Sequence, residues 1–229
     1  MKLLIIRPQP GNDASAKRAR EAGFDPVQLP FFEVRARGWD APDPSHFDAL
    51  LITSANGVRH AGAGLDIYSA LPVHAVGRNS ADAVAAKGLT LASTGTKGVD
   101  EALQMAIAAG HHRLLWLTGE DQTRFEAPES LQIETRIVYA AEPAELPSDA
   151  RFIVASADMV ALHSARAARK FAEFVDAHGL SRTNIRLAAF SEAIADAAGP
   201  GWQSIAIACH PSDEALLSAA RALGRQART

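Results

Sequence analysis

Small hydroxyl side chains and glycines recur at one kind of place along this chain, after short apolar runs and before helical stretches. They are Thr53-Ser54, Gly77 to Ser80, Thr118-Gly119, Ser156, Ser191 and Pro211-Ser212. Singly, each reads as a helix cap, the ordinary use of Ser and Thr at such positions. Together they suit the binding of an anion. In open α/β sheets the loops at the carboxyl ends of the strands line the ligand crevice, and their free backbone N–H groups favour negative charge. Two larger side chains extend the set. Tyr139, one of two tyrosines, ends the last strand before a proline-bearing segment. It reads either as a packing tyrosine with a wet hydroxyl or as a proton donor to a leaving group. Arg7, after the first strand, reads either as a carboxylate ligand or as one half of a surface ion pair.

Other chemistries lose ground on the same residues. Gly62-Ala63-Gly64 lacks a third glycine, Gly95-Thr96-Lys97-Gly98 is no phosphate-binding P-loop, and no Gly-x-Ser-x-Gly elbow occurs. The eight histidines, at 46, 60, 74, 111, 112, 163, 178 and 210, lack the spacing of a metal site, so no metal is expected. The single cysteine, Cys209, offers neither a disulfide nor a thiolate metal cage, which suits a reducing compartment. With 23 Lys plus Arg against 26 Asp plus Glu, the net charge of -3 gives no surplus to neutralise phosphates, so a nucleic-acid or anionic-membrane partner is disfavoured. Leu3-Leu4-Ile5-Ile6 is too short for a signal-peptide core and reads as a buried strand, and no run is long enough to span a bilayer. A soluble, cytoplasmic protein is expected.

The elements that must position these residues alternate as an α/β fold does: short apolar runs buried on both faces of a parallel sheet, then longer Ala-rich helical stretches. Leu3 to Ile6 is a strand, with Asn12 or Asp13 capping a helix from Ala14 to Ala22. Val27 to Leu29 is a strand, and Pro30 to Asp43 reads as a first linker. Strands follow at Ala49 to Ile52, Val73 to Val76, Leu89 to Ala92, Leu114 to Leu117 and Arg136 to Tyr139, with helices from Gly57, Ser80 to Lys87 and Val99 to Ala109. Ala141 to Pro147 is a second linker. Beyond it, Phe152 to Ala155 reads as a strand, Ser156-Ala157-Asp158 as a cap and Met159 to Ala177 as one long helix. Arg186 to Phe190 and Ser204 to Ala208 are the last strands, each leading into a helix.

These blocks repeat. Phe47 to Ala55 pairs with Asp149 to Ala157, Val76-Gly77 to Gly88 with Ala189-Phe190 to Gly199, and Gly98 to Leu103 with Pro211 to Leu216. Leu3 to Pro8 likewise echoes Leu114 to Gly119. The expected fold is α/β with two domains, each a parallel sheet flanked by helices, joined by a two-strand hinge. Residues 1–34 plus 145–229 form a discontinuous domain, 35–144 an inserted one, and the active site lies in the cleft between them.

Phe47 to Arg59 followed by Ala75 to Ala81 resembles the uroporphyrinogen-III synthase family. Arg7-Pro8, Leu117-Thr118-Gly119-Glu120, Val138-Tyr139, Phe190-Ser191-Glu192 and His210 to Leu216 extend the resemblance over nearly the whole chain. The resemblance implies two hinged α/β domains and a cofactor-independent lyase, acting as a monomer on a small molecule. Its substrate would be hydroxymethylbilane, closed to uroporphyrinogen III with ring D inverted, through an azafulvene and a spiro intermediate. It assigns Tyr139 to loss of the hydroxyl, places Ser80 where the family has Thr, and matches Ser54 and Ser191 to cleft hydroxyls. Arg7, Thr53, Gly77, Thr118, Gly119, Ser156 and Ser212 complete the expected substrate contacts. Thr118-Gly119 stands where the family often has Arg-Gly, and Ala155-Ser156 where it has Thr-Ser. On the residues alone, a second reading stays open: a non-catalytic two-domain module that closes on an anionic metabolite or tetrapyrrole.

Overall fold

A computed structural model describes residues 1–122 and 125–226. The chain opens with β1 (Lys2–Ile5), α1 (Gly11–Glu21), β2 (Asp25–Gln28) and β3 (Phe32–Ala36). It continues through β4 (Ala49–Ile52), α2 (Ala55–His60), β5 (Val73–Val76), α3 (Arg78–Ala86), β6 (Leu91–Gly95) and α4 (Val99–Ala108). Two longer strands follow, β7 (Arg113–Gly119) and β8 (Gln132–Pro143). The last third holds α5 (Ala150–Ala155), β9 (Met159–Leu162), α6 (Ala165–Ala177), β10 (Arg186–Ala189), α7 (Glu192–Ala198), β11 (Ser204–Ile207) and α8 (Asp213–Gln226).

Two compact units result. One comprises Met1–Glu33 with the chain from Glu142 onward, the other Val34–Ala141. The first carries a sheet in the order β11-β10-β9-β1-β2, every neighbouring pair parallel. The second carries β3-β8-β7-β4-β5-β6, parallel from β8 to β6. If β7, β8, β4, β5 and β6 are laid on β1, β2, β9, β10 and β11, the orders coincide. In each unit the chain builds outward from one central pair, β1 beside β9 or β7 beside β4. That pair is the switch point where the crevice of an open α/β sheet forms.

Central strands are short because burial on both faces, rather than length, holds them. Ala49–Ile52 and Leu3–Ile5 are almost wholly excluded from water. In the first unit Leu3, Ile5 and Ala161 pack under Ala16 and Ala19 of α1 and Leu216 and Ala220 of α8. In the second, Leu50, Ile52, Leu115 and Leu117 face Val58 of α2 and Val84 of α3, while Leu51, Leu114 and Trp116 face Ala102, Leu103 and Ala106 of α4.

Four sequence expectations are corrected. Phe152 to Ala155 is not a strand: it lies in α5, whose Ala150 and Val154, four apart, are buried while Phe152 is 70% exposed. Met159 to Leu162 does not begin a helix: it is β9, inserted between β1 and β10 and buried at all four residues. Both stretches are four apolar residues, and only the free slot in the sheet decides between them. The structural counterpart of Thr53-Ser54 is therefore His163-Ser164, and Ser156 stands at the carboxyl end of α5, its Oγ donating to the Ile153 carbonyl at 3.0 Å. The segment Pro30 to Asp43 contains β3, an edge strand with only Phe32 buried, and β8 runs into the second expected linker. Finally, Asn12 does not cap α1. It is buried inside the first turn, and its Nδ2 donates to the carbonyls of Ile5 at 3.0 Å and Arg7 at 2.7 Å, fixing the chain that leaves β1.

Candidate active site

At the switch point of the second unit, beyond the ends of β4 and β7, lies a cavity of about 690 Å3. Its cause is visible in the repeat. In the first unit, α1 follows β1 and packs beside α8 over one face of the sheet. After β7, the counterpart of β1, the described residues before β8 form no helix. Phe125, Leu131 and Ile133 cover part of that face instead, with the Phe125 ring 4.8 Å from Trp116. The part beside α4 that the described residues leave uncovered is the cavity.

Its floor is set by the strand ends. Thr53, after β4, accepts a hydrogen bond from the Trp116 indole at 3.0 Å, which holds the ring against the sheet. Ser54 caps α2, its Oγ accepting from Asn56 N at 3.2 Å. Thr118, 3% exposed, lines the cavity, and among the described residues its hydroxyl has no hydrogen-bond partner. Asp100, in the first turn of α4, stands exposed on the wall, with Asp121 and Glu126 also on the lining.

Tyr139 enters through a bulge. β7 and β8 pair Thr118 with Ile137 and then Gly119 with Tyr139, so Val138 is the extra residue, and both Val138 and Tyr139 pack on the α2–α3 side. The Tyr139 ring lies over Gly119: a Cβ there would meet Cε2 at 2.5 Å and Cζ at 2.6 Å. Only glycine leaves this space. The His60 ring is 6.0 Å away, and burial, then Arg59, holds its pKa below the ordinary histidine value. Among the described residues the Tyr139 hydroxyl has no hydrogen-bond partner and lies on the cavity wall.

The first unit fills the equivalent place. Asp213, opening α8 and 7% exposed, accepts from Ser15 at 2.9 Å, from Arg18 at 2.7 Å and from His163 Nε2 at 3.1 Å, with the Arg7 guanidinium 3.7 Å away. Burial pushes the Asp213 carboxyl up, but the hydrogen bonds of His163 and Ser15, with the Arg7 charge, outweigh it and leave its pKa at about 2. Burial dominates at His163 and lowers its pKa despite Asp213, so the imidazole donates to Asp213 as a neutral N–H and the two arginines balance the charge.

Thr53, Ser54, Thr118 and Tyr139 line one cavity, and Gly119 supports Tyr139. Gly77 begins α3 with φ 76°, open only to glycine, and Ser80 is buried in the first turn; neither lines the cavity. Arg7, Ser191 and Ser212 belong to the first unit. Arg7 donates to Ser15 at 3.1 Å, Ser191 begins α7, and Ser212 Oγ accepts from Ala215 N at 3.2 Å. Sequence reasoning missed Ser164, which caps α6 through Ala167 N at 3.2 Å, and His163, Asp100, Trp116 and Asp213. The matched segments Val99-Asp100-Glu101-Ala102-Leu103 and Ser212-Asp213-Glu214-Ala215-Leu216 carried the signal for the two aspartates. Among the described residues no three His, Cys, Asp or Glu side chains form a group able to hold a metal ion.

A duplicated parallel α/β unit with hydroxyl-bearing loops at its switch points defines a ligand-binding α/β protein of doubled architecture. The model of the family described as uroporphyrinogen-III synthase HemD matches residues 13–218, and the chain belongs to that family. Two solved structures share the fold. Uroporphyrinogen-III synthetase from Helicobacter pylori is 16% identical with a TM-score of 0.62, over 97% of this chain and 100% of that one. A mutant uroporphyrinogen III synthase from the extremely thermophilic bacterium Thermus thermophilus is 15% identical with a TM-score of 0.52, over 100% and 99%. No curated protein matches the chain.

Proposed function

We propose that the chain closes hydroxymethylbilane to uroporphyrinogen III with inversion of ring D and loss of water, the lyase step of tetrapyrrole biosynthesis that its family carries out. The observation that supports this site for the chemistry is the Tyr139 hydroxyl, unpartnered among the described residues and set on the wall of the cavity beside Thr118. The terminal hydroxymethyl C–O bond breaks with its electron pair on oxygen, which takes the Tyr139 proton and departs as water. The pyrrole nitrogen feeds electrons into the new exocyclic double bond, giving an azafulvenium. A substituted pyrrole carbon of ring D then attacks, and the spiro intermediate reopens and recloses at the other position. The pyrrole proton lost on final closure returns to Tyr139, so the only net loss is water.

The substrate carries eight carboxylates, which call for many donors. We assign them to Arg7, whose side chain is 32% exposed, and to the loops at Thr53-Ser54, Gly77 to Ser80, Thr118-Gly119, Ser191 and Ser212. Ser164 takes the place that the repeat alignment gives to Ser156, because it and not Ser156 follows a sheet strand. Because the substrate also closes spontaneously to isomer I, the work of the site is to hold one conformation and stabilise charge. The same reading has a monomer acting in the cytoplasm without a nucleic-acid partner. Among the described residues no helix is long and apolar enough to cross a membrane.

The test generates hydroxymethylbilane freshly in the presence of the protein, oxidises the products and separates the isomers by chromatography. Isomer III is expected. Isomer I alone, from folded protein, would overturn the proposal and leave a binding module as the reading to pursue.

A further inference from the structure

Arg7, which follows β1, has one edge of its guanidinium tied and the other free. Nη1 donates to Ser15 Oγ at 3.1 Å and stands 3.7 Å from Asp213 Oδ1. Among the described residues Nε and Nη2 meet no acceptor. Those two N–H groups form the fork that takes both oxygens of one carboxylate. The ion cluster of the first unit does not use it. Asp213 already accepts from Arg18 and Ser15 through Oδ2, at 2.7 and 2.9 Å, and from His163 through Oδ1 at 3.1 Å. Arg7 is therefore surplus to the hydrogen bonding of Asp213, yet its side chain is only 32% exposed. Burial, the strongest influence on it, holds its pKa below the ordinary arginine value although Asp213 acts the other way, with Arg18 adding its repulsion. A partly desolvated cation with an unused fork gains most from an anion supplied by a ligand.

A glycine makes this placement possible. A Cβ on residue 11, at the start of α1, would lie 2.6 Å from Arg7 Nε and 2.8 Å from its Cζ and Nη2. Unbonded heavy atoms pack at about 3.5 Å, so the guanidinium occupies the place of the missing side chain. The nearly equal distances set that place over the face of the fork, beside its N–H bonds rather than in line with them. The backbone does not call for glycine: Gly11 is not among the positive-φ glycines, and alanine is the stronger helix former. What the position needs is the space.

We propose that Gly11 is a positioning residue: it leaves room for the Arg7 guanidinium to lie against the start of α1 with its Nε–Nη2 edge presented to one carboxylate of the substrate. This rests on the function proposed above, in which Arg7 takes a substrate carboxylate. That carboxylate is ionised and unreacted from substrate to product, so the contact is equally strong in the ground and transition states. Uniform binding of this kind acts on KM and leaves kcat alone. Ser15 and Asp213 hold the Nη1 edge, and Gly11 keeps the other from being pushed aside.

The test is steady-state formation of isomer III by the wild type, Gly11→Ala, Arg7→Gln, the double variant and Lys17→Gln, each with a melting curve. Lys17 is an exposed cation of the same helix and controls for the lost charge. Arg7→Gln is expected to raise KM by about ten- to a hundredfold at nearly unchanged kcat, the range of a hydrogen bond to a charged group. Gly11→Ala should raise KM by about tenfold, again with kcat level. Its melting temperature should stay level or rise, since the atoms it displaces end a flexible side chain and alanine favours the helix. A purely structural defect does not combine a higher KM with undiminished stability. The double variant should match Arg7→Gln, because Gly11 acts only through Arg7. Lys17→Gln should match the wild type. Wild-type KM in folded Gly11→Ala, a loss expressed in kcat alone, multiplicative losses in the double variant or an equal loss in Lys17→Gln would overturn the proposal. Isomer III from the wild type in the same assay keeps those results distinct from failure of the assigned function, which isomer I alone would signal.

Discussion

Gly119→Ala tests whether the bulge and the glycine beneath the Tyr139 ring exist to place its hydroxyl. The added Cβ would sit 2.5 Å from Cε2, 2.6 Å from Cζ and 3.0 Å from the hydroxyl oxygen of Tyr139. Carbon atoms pack at about 3.5–4.0 Å, so the ring must move by about 1 Å. Gly119 is not among the positive-φ glycines, so alanine suits the backbone and the cost falls on the ring alone. Displacing a reacting group by about 1 Å costs about a hundredfold in rate, and kcat should fall by that order. Stability should change by only about 1 kcal/mol, because tighter packing opposes the smaller entropy lost by alanine on folding. Tyr139→Phe, which keeps the ring and deletes the proton donor, should lower kcat by about 10²–10⁴. The double variant is decisive: if Gly119 acts only through Tyr139, it should be no slower than Tyr139→Phe alone. The readout is kcat for isomer III with freshly made substrate, alongside a melting curve. Wild-type kcat in folded Gly119→Ala, or multiplicative losses in the double variant, would refute the reasoning.

Three further outcomes follow from the units themselves. Asp213→Asn should lower stability by about 2 kcal/mol at neutral pH, because the native carboxyl titrates at about 2 rather than 3.8. Wild-type stability from this group is complete above pH 3.8 and lost as pH falls through about 2; urea titrations at about pH 7 and about pH 2.5 should show the difference between the proteins shrinking, and a constant gap would count against it. His74, fully buried, contacts Ser93 Oγ at 2.7 Å and His111 at 2.8 Å, and burial followed by the His111 charge brings its pKa to about 4. Below pH 6.5 the unfolded chain takes a proton that the native protein refuses, so stability should fall by about 3 kcal/mol between pH 6.5 and 4, and His74→Asn should flatten that slope. Ser164→Ala should cost about 1 kcal/mol by uncapping α6 and should weaken substrate binding, whereas Ser156→Ala should leave both unchanged; the reverse pattern in melting temperature and KM would restore the alignment that pairs Ser54 with Ser156.

What the sequence made legible were the strands that burial alone defines. Leu3 to Ile5, Ala49 to Ile52 and Leu187 to Ala189 are apolar runs cut off by turn residues, and each is a buried strand. β3 was hidden because an edge strand needs little burial: one of its five residues is buried, and prolines and charges surround it. The exchange of α5 and β9 has another cause, since Phe152 to Ala155 and Met159 to Leu162 have nearly the same composition and differ only in which reaches the sheet. That error moved one expected contact, from Ser164 to Ser156. In the cavity, Thr53, Ser54, Thr118 and Tyr139 declared themselves by type and position. Asp100 did not, because an acid in the first turn of a helix is ordinary in sequence and acquires meaning only beside an empty space.

The emptiness has a structural origin. Each unit sets an aspartate at the amino end of the helix that follows its last outer strand, facing the central strand pair. In the first unit α1 folds back over β1, and Ser15 and Arg18 reach Asp213 while Arg7 and His163 close from the strand ends. In the second unit no such helix covers β7 in the described residues, and both strand-end partners are threonines. The first arrangement is an ion cluster satisfied by the protein itself, and it fixes α1 and α8 together. The second keeps the carboxylate, and among the described residues no lysine or arginine lines the cavity beside it. A duplicated unit has thus closed one copy of the position around an ion cluster that joins α1 to α8 and left the other facing a cavity.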